Sequence, residues 1–134
     1  MTEPVWLDLR DVEHLHTRQL AKFGGLPGVR DLNAVESAIF RPRQKHAFGE
    51  PDLADLAAAY GCGRAKNHGF SDGNKRVALA ALLVFLEING QRVESTEEEA
   101  TRVMLGVASG ELDEAALAVW IRRSLRPRAE NAPR

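Results

Sequence analysis

Cysteine is almost absent from this chain of 134 residues, and so are a strong net charge and a long apolar run. Cys62 is the only cysteine, which excludes an intrachain disulfide and a zinc ribbon. The net charge of −1 gives no whole-chain reason to expect nucleic-acid binding. Residues 77–86 form the longest apolar run, too short to span a bilayer, and no secretory leader pattern is present. We therefore expect a cytoplasmic protein without membrane contacts, with one domain over residues 1–126 and a basic, disordered tail over residues 127–134.

Helical periodicity dominates the pattern of apolar residues, and no long alternating run predicts a strand. The segment 75–87 is apolar on nearly every face, so we expect it to form a buried central helix. Asp31 is a good N-cap for an earlier helix, which should end at Arg41-Pro42-Arg43 because proline disfavours helix in the residue before it. The predicted fold class is therefore all-α, with the basic stretch after Arg43 as a loop or short hairpin.

A polar, glycine-containing loop leads into the central helix, with the sequence His68-Gly69-Phe70-Ser71-Asp72-Gly73-Asn74-Lys75-Arg76. The first turn of a helix has unpaired N–H groups and a positive dipole end, which together favour an anion. Lys75 and Arg76 add cations where a cation is unfavourable, unless phosphates occupy the site. His68 has the pKa range of a general base, and Asp72 could hold a divalent cation.

The same nine residues resemble the signature of the Fic/Doc (death-on-curing) family in its Doc-type form. The glycine-rich turn 24–28, the segment 60–68 and the segment 85–90 also resemble corresponding parts of Doc-like proteins. The resemblance extends over about residues 8–125, and the nine-residue string is its most specific part.

The resemblance implies an all-helical bundle that transfers part of a nucleotide to a protein hydroxyl, with ATP as substrate and Mg²⁺ as cofactor. The implied catalytic residues are His68 as base, Asp72 as the Mg²⁺-holding carboxylate, and Lys75. The implied nucleotide- and phosphate-binding residues are Lys66, Gly73, Asn74, Lys75 and Arg76. A short β-hairpin flap over residues 40–48 would align the target backbone, through Arg41, Arg43, Gln44, Lys45 and His46.

Two positions favour the Doc-like sub-type. AMP-transferring Fic enzymes have glycine and a second arginine where this chain has Lys75 and Leu79. Doc-like toxins share the lysine, which implies transfer of the γ-phosphate, with a threonine of elongation factor Tu as target. Lys66 and Ala80 stand where a Doc toxin has arginine and asparagine. The segment 95–100 lacks the last residue of the family's inhibitory motif, so the resemblance implies a separate antitoxin protein.

Two alternatives remain at this stage. The protein could be an AMP transferase of the Fic type. It could also be a non-enzymatic helical binding module or a degenerate Fic protein, in which residues 41–46 contact nucleic acid. Against the second alternative, no helix-turn-helix pair with a basic recognition helix is apparent, and we expect no direct nucleic-acid partner.

Overall fold

The computed structural model of the protein describes residues 3–67 and 69–128, with the side chains of residues 64–67 outside the described part. The described residues form six helices and one two-stranded sheet, in the order α1 Leu9–Phe23, α2 Leu32–Ala47, α3 Leu53–Asn67, α4 Asn74–Ile88, β1 Gln91–Val93, α5 Glu97–Ser109, α6 Glu114–Ser124 and β2 Leu125–Pro127. The all-α fold class is thus confirmed. No helix of the described chain is both long enough and apolar enough to cross a bilayer.

Helix α4 is the buried centre, as its composition predicts. Its fully buried side chains include Val77, Leu82 and Phe85. Helix α3 packs closely along it because Gly61 has no side chain: a Cβ at this position would lie 2.7 Å from a methyl carbon of Leu82. This close packing fixes the end of α3 beside the start of α4, which is where the predicted site lies.

Helix α2 begins where the sequence predicts but continues further. Asp31 is its N-cap and accepts a hydrogen bond from the backbone N–H of Ala34 at 3.1 Å. The helix then runs through Pro42 to Ala47, although an interior proline costs about 3 kcal/mol by removing a hydrogen bond and crowding the preceding turn. Pro42 is buried, and its burial together with neighbouring ion pairs outweighs the local preference. The prediction of a hairpin flap over residues 40–48 is therefore wrong.

The two strands lie at the C-terminal end of α4, since β1 follows that helix directly. They pair antiparallel, with Arg92 opposite Arg126. Arg128 extends the contact: its backbone N–H donates to Gly90 and its guanidinium to the carbonyl of Glu87, each at 2.9 Å. Residues 127 and 128, which the sequence analysis assigned to the tail, thus belong to the folded domain, and residues 129–134 lie outside the described part.

Candidate active site at the start of helix α4

The first turn of α4 has open backbone N–H groups. Its N-cap is Gly73, in the left-handed conformation with φ of 80°, and no side chain caps the helix. Within α4 the ladder begins with the N–H of Val77, which donates to the carbonyl of Gly73 at 2.9 Å. The three preceding amides, at residues 74–76, have no acceptor in the helix, so they can bind an anion.

The loop before α4 is closed by the side chain of Asn74. Its Oδ1 accepts from the backbone N–H of Phe70, and its Nδ2 donates to the carbonyl of the same residue, both at 3.0 Å. The carboxamide of Asn74 is thereby committed to the loop. The backbone N–H of Asn74 remains free of the loop and belongs to the open first-turn N–H groups. A phosphate contact by Asn74 would therefore come from the main chain.

Asp72 is held at the mouth of this helix end. Its Oδ1 accepts from the N–H of Gly73 at 2.8 Å, and its Oδ2 accepts from the N–H of Leu26 at 3.2 Å. The hydrogen bonds from Leu26 and Gly73 lower the pKa of the Asp72 carboxyl, and the charges of Arg76 and His16 act in the same direction. The side chain is exposed. Asp72 is therefore an ionised carboxylate with oxygen lone pairs open to solvent.

The segment 28–31 forms the other side of the loop. Val29 and Phe70 make an isolated antiparallel bridge. The N–H of Arg30 donates to Gly69 at 2.9 Å, and the N–H of Ser71 donates to Gly28 at 3.2 Å. In this pattern the N–H and C=O of Val29 point to the opposite edge, away from the loop. The glycine-rich turn 24–28 is the only signal of this pairing in the sequence.

An open cleft of about 530 Å³ lies against these groups. One wall consists of Arg30 and residues 71–76, and the other consists of Leu105, Ala108 and Ser109 near the end of α5. The volume falls in the usual range of small-molecule sites. The cleft therefore combines a cationic, amide-lined wall with a partly apolar one.

Lys75 and Arg76 are exposed in this cleft. The Arg76 guanidinium lies 4.8 Å from the ring centroid of Phe23, at the end of α1. Within the described part of the chain, no carboxylate forms an ion pair with either cation. Both cations are therefore available to an anionic ligand.

Comparison with known proteins agrees with this arrangement. A model of the family described as "Fic/DOC family" matches residues 6–86, which include the loop and most of α4. The chain belongs to the Fic/DOC family. Protein kinase doc of Escherichia phage P1 is 37% identical over 110 residues, covering 81% of this chain and 86% of that protein. Toxin Doc of Mycolicibacterium smegmatis is 40% identical over 118 residues, covering 84% and 86%. Among family members, the chain is thus similar to Doc proteins.

Two of the predicted site residues fall where the structure makes no statement. His68, the predicted base of this Fic/DOC protein, lies outside the described residues. The side chain of Lys66 also lies outside them. The structure brings the other predicted residues, Asp72 to Arg76, together along one wall of the cleft.

The five residues assigned to a target-docking flap do not line this cleft. Arg41 and Lys45 both bind Glu114 of α6, at 2.6 and 2.7 Å. Gln44 lines a separate surface depression of about 370 Å³. The two remaining residues, Arg43 and His46, contact the ring of Trp6. Four of these side chains, all except Gln44, hold α2 against its neighbours, so the docking role assigned to residues 41–46 is not supported.

A divalent cation would have one protein carboxylate here. No group of three potential ligands is found among the described residues, so a closed protein cage for a metal is not formed there. Mg²⁺ is commonly bound by one or two carboxylates together with substrate phosphates and water. The exposed, ionised Asp72 beside the open amides of α4 fits a magnesium ion that arrives with a nucleotide.

Proposed function

We propose that this protein is a Doc-like toxin that transfers the γ-phosphate of ATP to a hydroxyl group of another protein. The observation that carries the proposal is the cationic, uncapped N-terminus of α4, which faces a cleft of ligand size beside an ionised Asp72. The names of the two relatives, one a protein kinase and one a toxin, agree with it.

The proposed reaction is one displacement at phosphorus. His68 takes the proton of the acceptor hydroxyl, whose oxygen forms a bond to the γ-phosphorus while the bond to the β-phosphate oxygen breaks, so that ADP leaves. The amides of residues 74–76 and the cations of Lys75 and Arg76 bind the phosphate oxygens and their developing charge. Asp72 would hold the magnesium ion that accompanies ATP, and the ion would neutralise phosphate charge.

The target backbone would dock on the segment 28–31 instead of residues 41–46. This segment already pairs with the loop 69–71, and the N–H and C=O of Val29 point to the outer edge. An extended peptide added there would lie next to the loop that carries the site.

We propose a threonine of elongation factor Tu as the acceptor of the phosphate. We place the reaction in the cytoplasm and propose a separate antitoxin protein that restrains the toxin.

Labelled ATP tests the reaction directly. The purified protein is incubated with elongation factor Tu, Mg²⁺ and ATP that carries the label on either the α- or the γ-phosphate, and the target is weighed by intact-mass spectrometry. We expect γ-label and the mass of one phosphate on the target. Transfer of α-label instead would mean AMP transfer and would overturn the sub-type, and absence of both labels would overturn the enzyme proposal for this target.

Three variants sharpen the result. His68→Ala should lower the rate by about 10²- to 10⁴-fold, the usual loss of a positioned base, while the protein stays folded.

Lys75→Gly should reduce γ-label transfer and create space for the phosphate pose of AMP-transferring relatives. Lys75→Gly combined with Leu79→Arg should then transfer more α-label than Lys75→Gly alone, because it also supplies the second arginine, and equal α-label in both variants would contradict a role for that arginine.

A further inference from the structure

His16 on helix α1 is buried, at 5% exposure. Among the side chains that the structure describes, it is the only imidazole, carboxylate or cation in that class. Burial of a polar ring is unfavourable unless its nitrogens find partners. The Nε2 atom of His16 lies 2.8 Å from the backbone carbonyl oxygen of Asp72. Because a carbonyl oxygen only accepts, Nε2 carries the proton.

The same imidazole makes two further contacts with the loop. Its ring stacks on Phe70, with centroids 3.9 Å apart and planes inclined by 17°. A Cβ placed on Gly73 would lie 3.6 Å from Cδ2 of His16, so the Gly73 backbone runs along the ring. His16 therefore contacts Phe70, Asp72 and Gly73, which lie in the turn that leads into α4.

Helix α1 presents a row of residues to this loop at helical spacing. His16, Leu20 and Phe23 lie on one face, since residues four and seven positions apart in a helix face the same side. A Cβ on Gly73 would lie 3.9 Å from Leu20, and Arg76 rests over the ring of Phe23. Only His16 in this row is placed to donate a hydrogen bond.

We propose that His16 is a positioning residue, which holds the loop 70–73 in the shape that presents the Asp72 carboxylate and the open amides of α4 to the phosphates. The inference rests on the function proposed above. It follows from the two opposed restraints on one residue: α1 holds the Asp72 carbonyl through His16, and Leu26 and Gly73 hold its carboxylate. If the restraint on the carbonyl is lost, the peptide plane before Gly73 can turn, and the carboxylate and first-turn amides turn with it.

Three variants separate the donor from the ring. His16→Phe keeps an aromatic ring against Phe70 and removes the donor. His16→Gln places an amide nitrogen near the position of Nε2 and removes the stack. His14→Ala is the matched control, because His14 is an exposed histidine on the same helix.

Hydrogen exchange of the amides of Phe70, Ser71 and Gly73, which donate hydrogen bonds in the segment 70–73, reads the loop directly when it is measured without nucleotide. We expect His16→Phe to raise exchange in this segment by about tenfold, as expected when a buried acceptor loses its partner, while exchange elsewhere stays as in the wild type. His16→Gln should restore most of the protection, and His14→Ala should match the wild type. The proposal is overturned if His16→Phe leaves the segment unchanged, if exchange rises equally throughout the chain, or if His16→Gln behaves like His16→Phe.

Phosphate transfer gives the second readout. For His16→Phe we expect kcat to fall by about 10- to 100-fold, the effect of a small displacement in a catalytic site, and His16→Gln should recover much of it. Wild-type kcat in a folded His16→Phe protein would contradict the positioning role. If the wild-type protein transfers no phosphate, the proposed function fails, and the exchange experiment still decides whether His16 holds the loop.

Discussion

Two groups of cations on this protein lie in different surroundings. In the C-terminal half of α2, Arg41 and Lys45 converge on one carboxylate, that of Glu114, whose side chain is only 15% exposed. At the start of α4, Lys75 and Arg76 face an open cleft, and no carboxylate of the described residues forms an ion pair with them. The first group is charge-neutralised by the fold, and the second leaves its charge for a ligand.

Helix position strengthens the contrast. Lys45 lies in the last turn of α2, where positive charge interacts favourably with the macrodipole, whereas the α4 cations lie in the first turn of their helix, where it does not. The α2 cations have a carboxylate partner, so no ligand is needed to explain them. The α4 cations lie beside open amides with no such partner, and a bound anion would explain their position. Basic character alone does not distinguish the two regions.

The largest expected effect concerns the role of the unpaired cations, Lys75 and Arg76, in catalysis. Lys75→Ala should lower the rate of phosphate transfer by about 10²- to 10³-fold, as removal of one charge-stabilising group usually does. Its melting temperature should stay the same or rise slightly, because a cation leaves a helix N-terminus. Lys45→Ala is the control from the paired group and should keep the wild-type rate. Equal loss of rate in both variants would contradict the distinction between the two regions.

The next effect tests whether phosphate transfer by the site with Lys75 and Arg76 also depends on the position of the Asp72 carboxylate. A Cβ on Gly25 would lie 2.8 Å from Oδ2 of Asp72, whereas a Cβ on Gly24 meets nothing within 4 Å. Both glycines have positive φ, so both alanine variants suffer backbone strain. We expect Gly25→Ala to lose about tenfold more transfer rate than Gly24→Ala, through displacement of the carboxylate. Equal rates would show that the position of Asp72 is not limiting.

For the paired group we expect an effect on stability and not on rate. Glu114→Gln should lower the free energy of unfolding by about 1–3 kcal/mol, because it leaves two cations near a neutral amide. Urea denaturation measures this, with the exposed Glu13→Gln as control. Burial opposes ionisation of Glu114, but hydrogen bonds from Lys45 and Arg41 outweigh it and lower its pKa. This stabilisation is present above pH 4.5 and is lost as pH falls through the lowered pKa.

The smallest effect comes from a surface ion cluster that resembles the paired group but is more exposed. The Arg122 side chain binds Asp52 at 2.8 Å and Asp55 at 2.9 Å. The hydrogen bond from Arg122 lowers the pKa of Asp52 to about 2 from 3.8. Asp52→Asn should therefore cost at most about 1 kcal/mol at neutral pH. The difference from wild type should shrink as pH falls from 4 to 2, and a difference that persists at pH 2 in urea titrations would contradict this assignment.

Much of the helical framework was predictable because local signals coincide with it. The apolar character of residues 75–87 predicts a buried helix, and α4 occupies Asn74–Ile88. Asp31 predicts the start of α2 and is its N-cap. The motif 68–76 predicts an anion-binding helix end, and the structure places residues 71–76 of it along one wall of the cleft. In each case, the signal lies within one contiguous stretch of the sequence.

The sequence by itself determined the all-α class, the central helix and the family, because these depend on periodicity and on a contiguous string of residues. Only the tertiary structure decided the fate of residues 41–46, since burial of Pro42 and pairing with Glu114, far along the chain, keep α2 helical. It likewise decided that the segment 28–31 and His16 hold the loop. These contacts join residues some 40 to 70 positions apart, and no local pattern in a single sequence records which distant partner a side chain will meet.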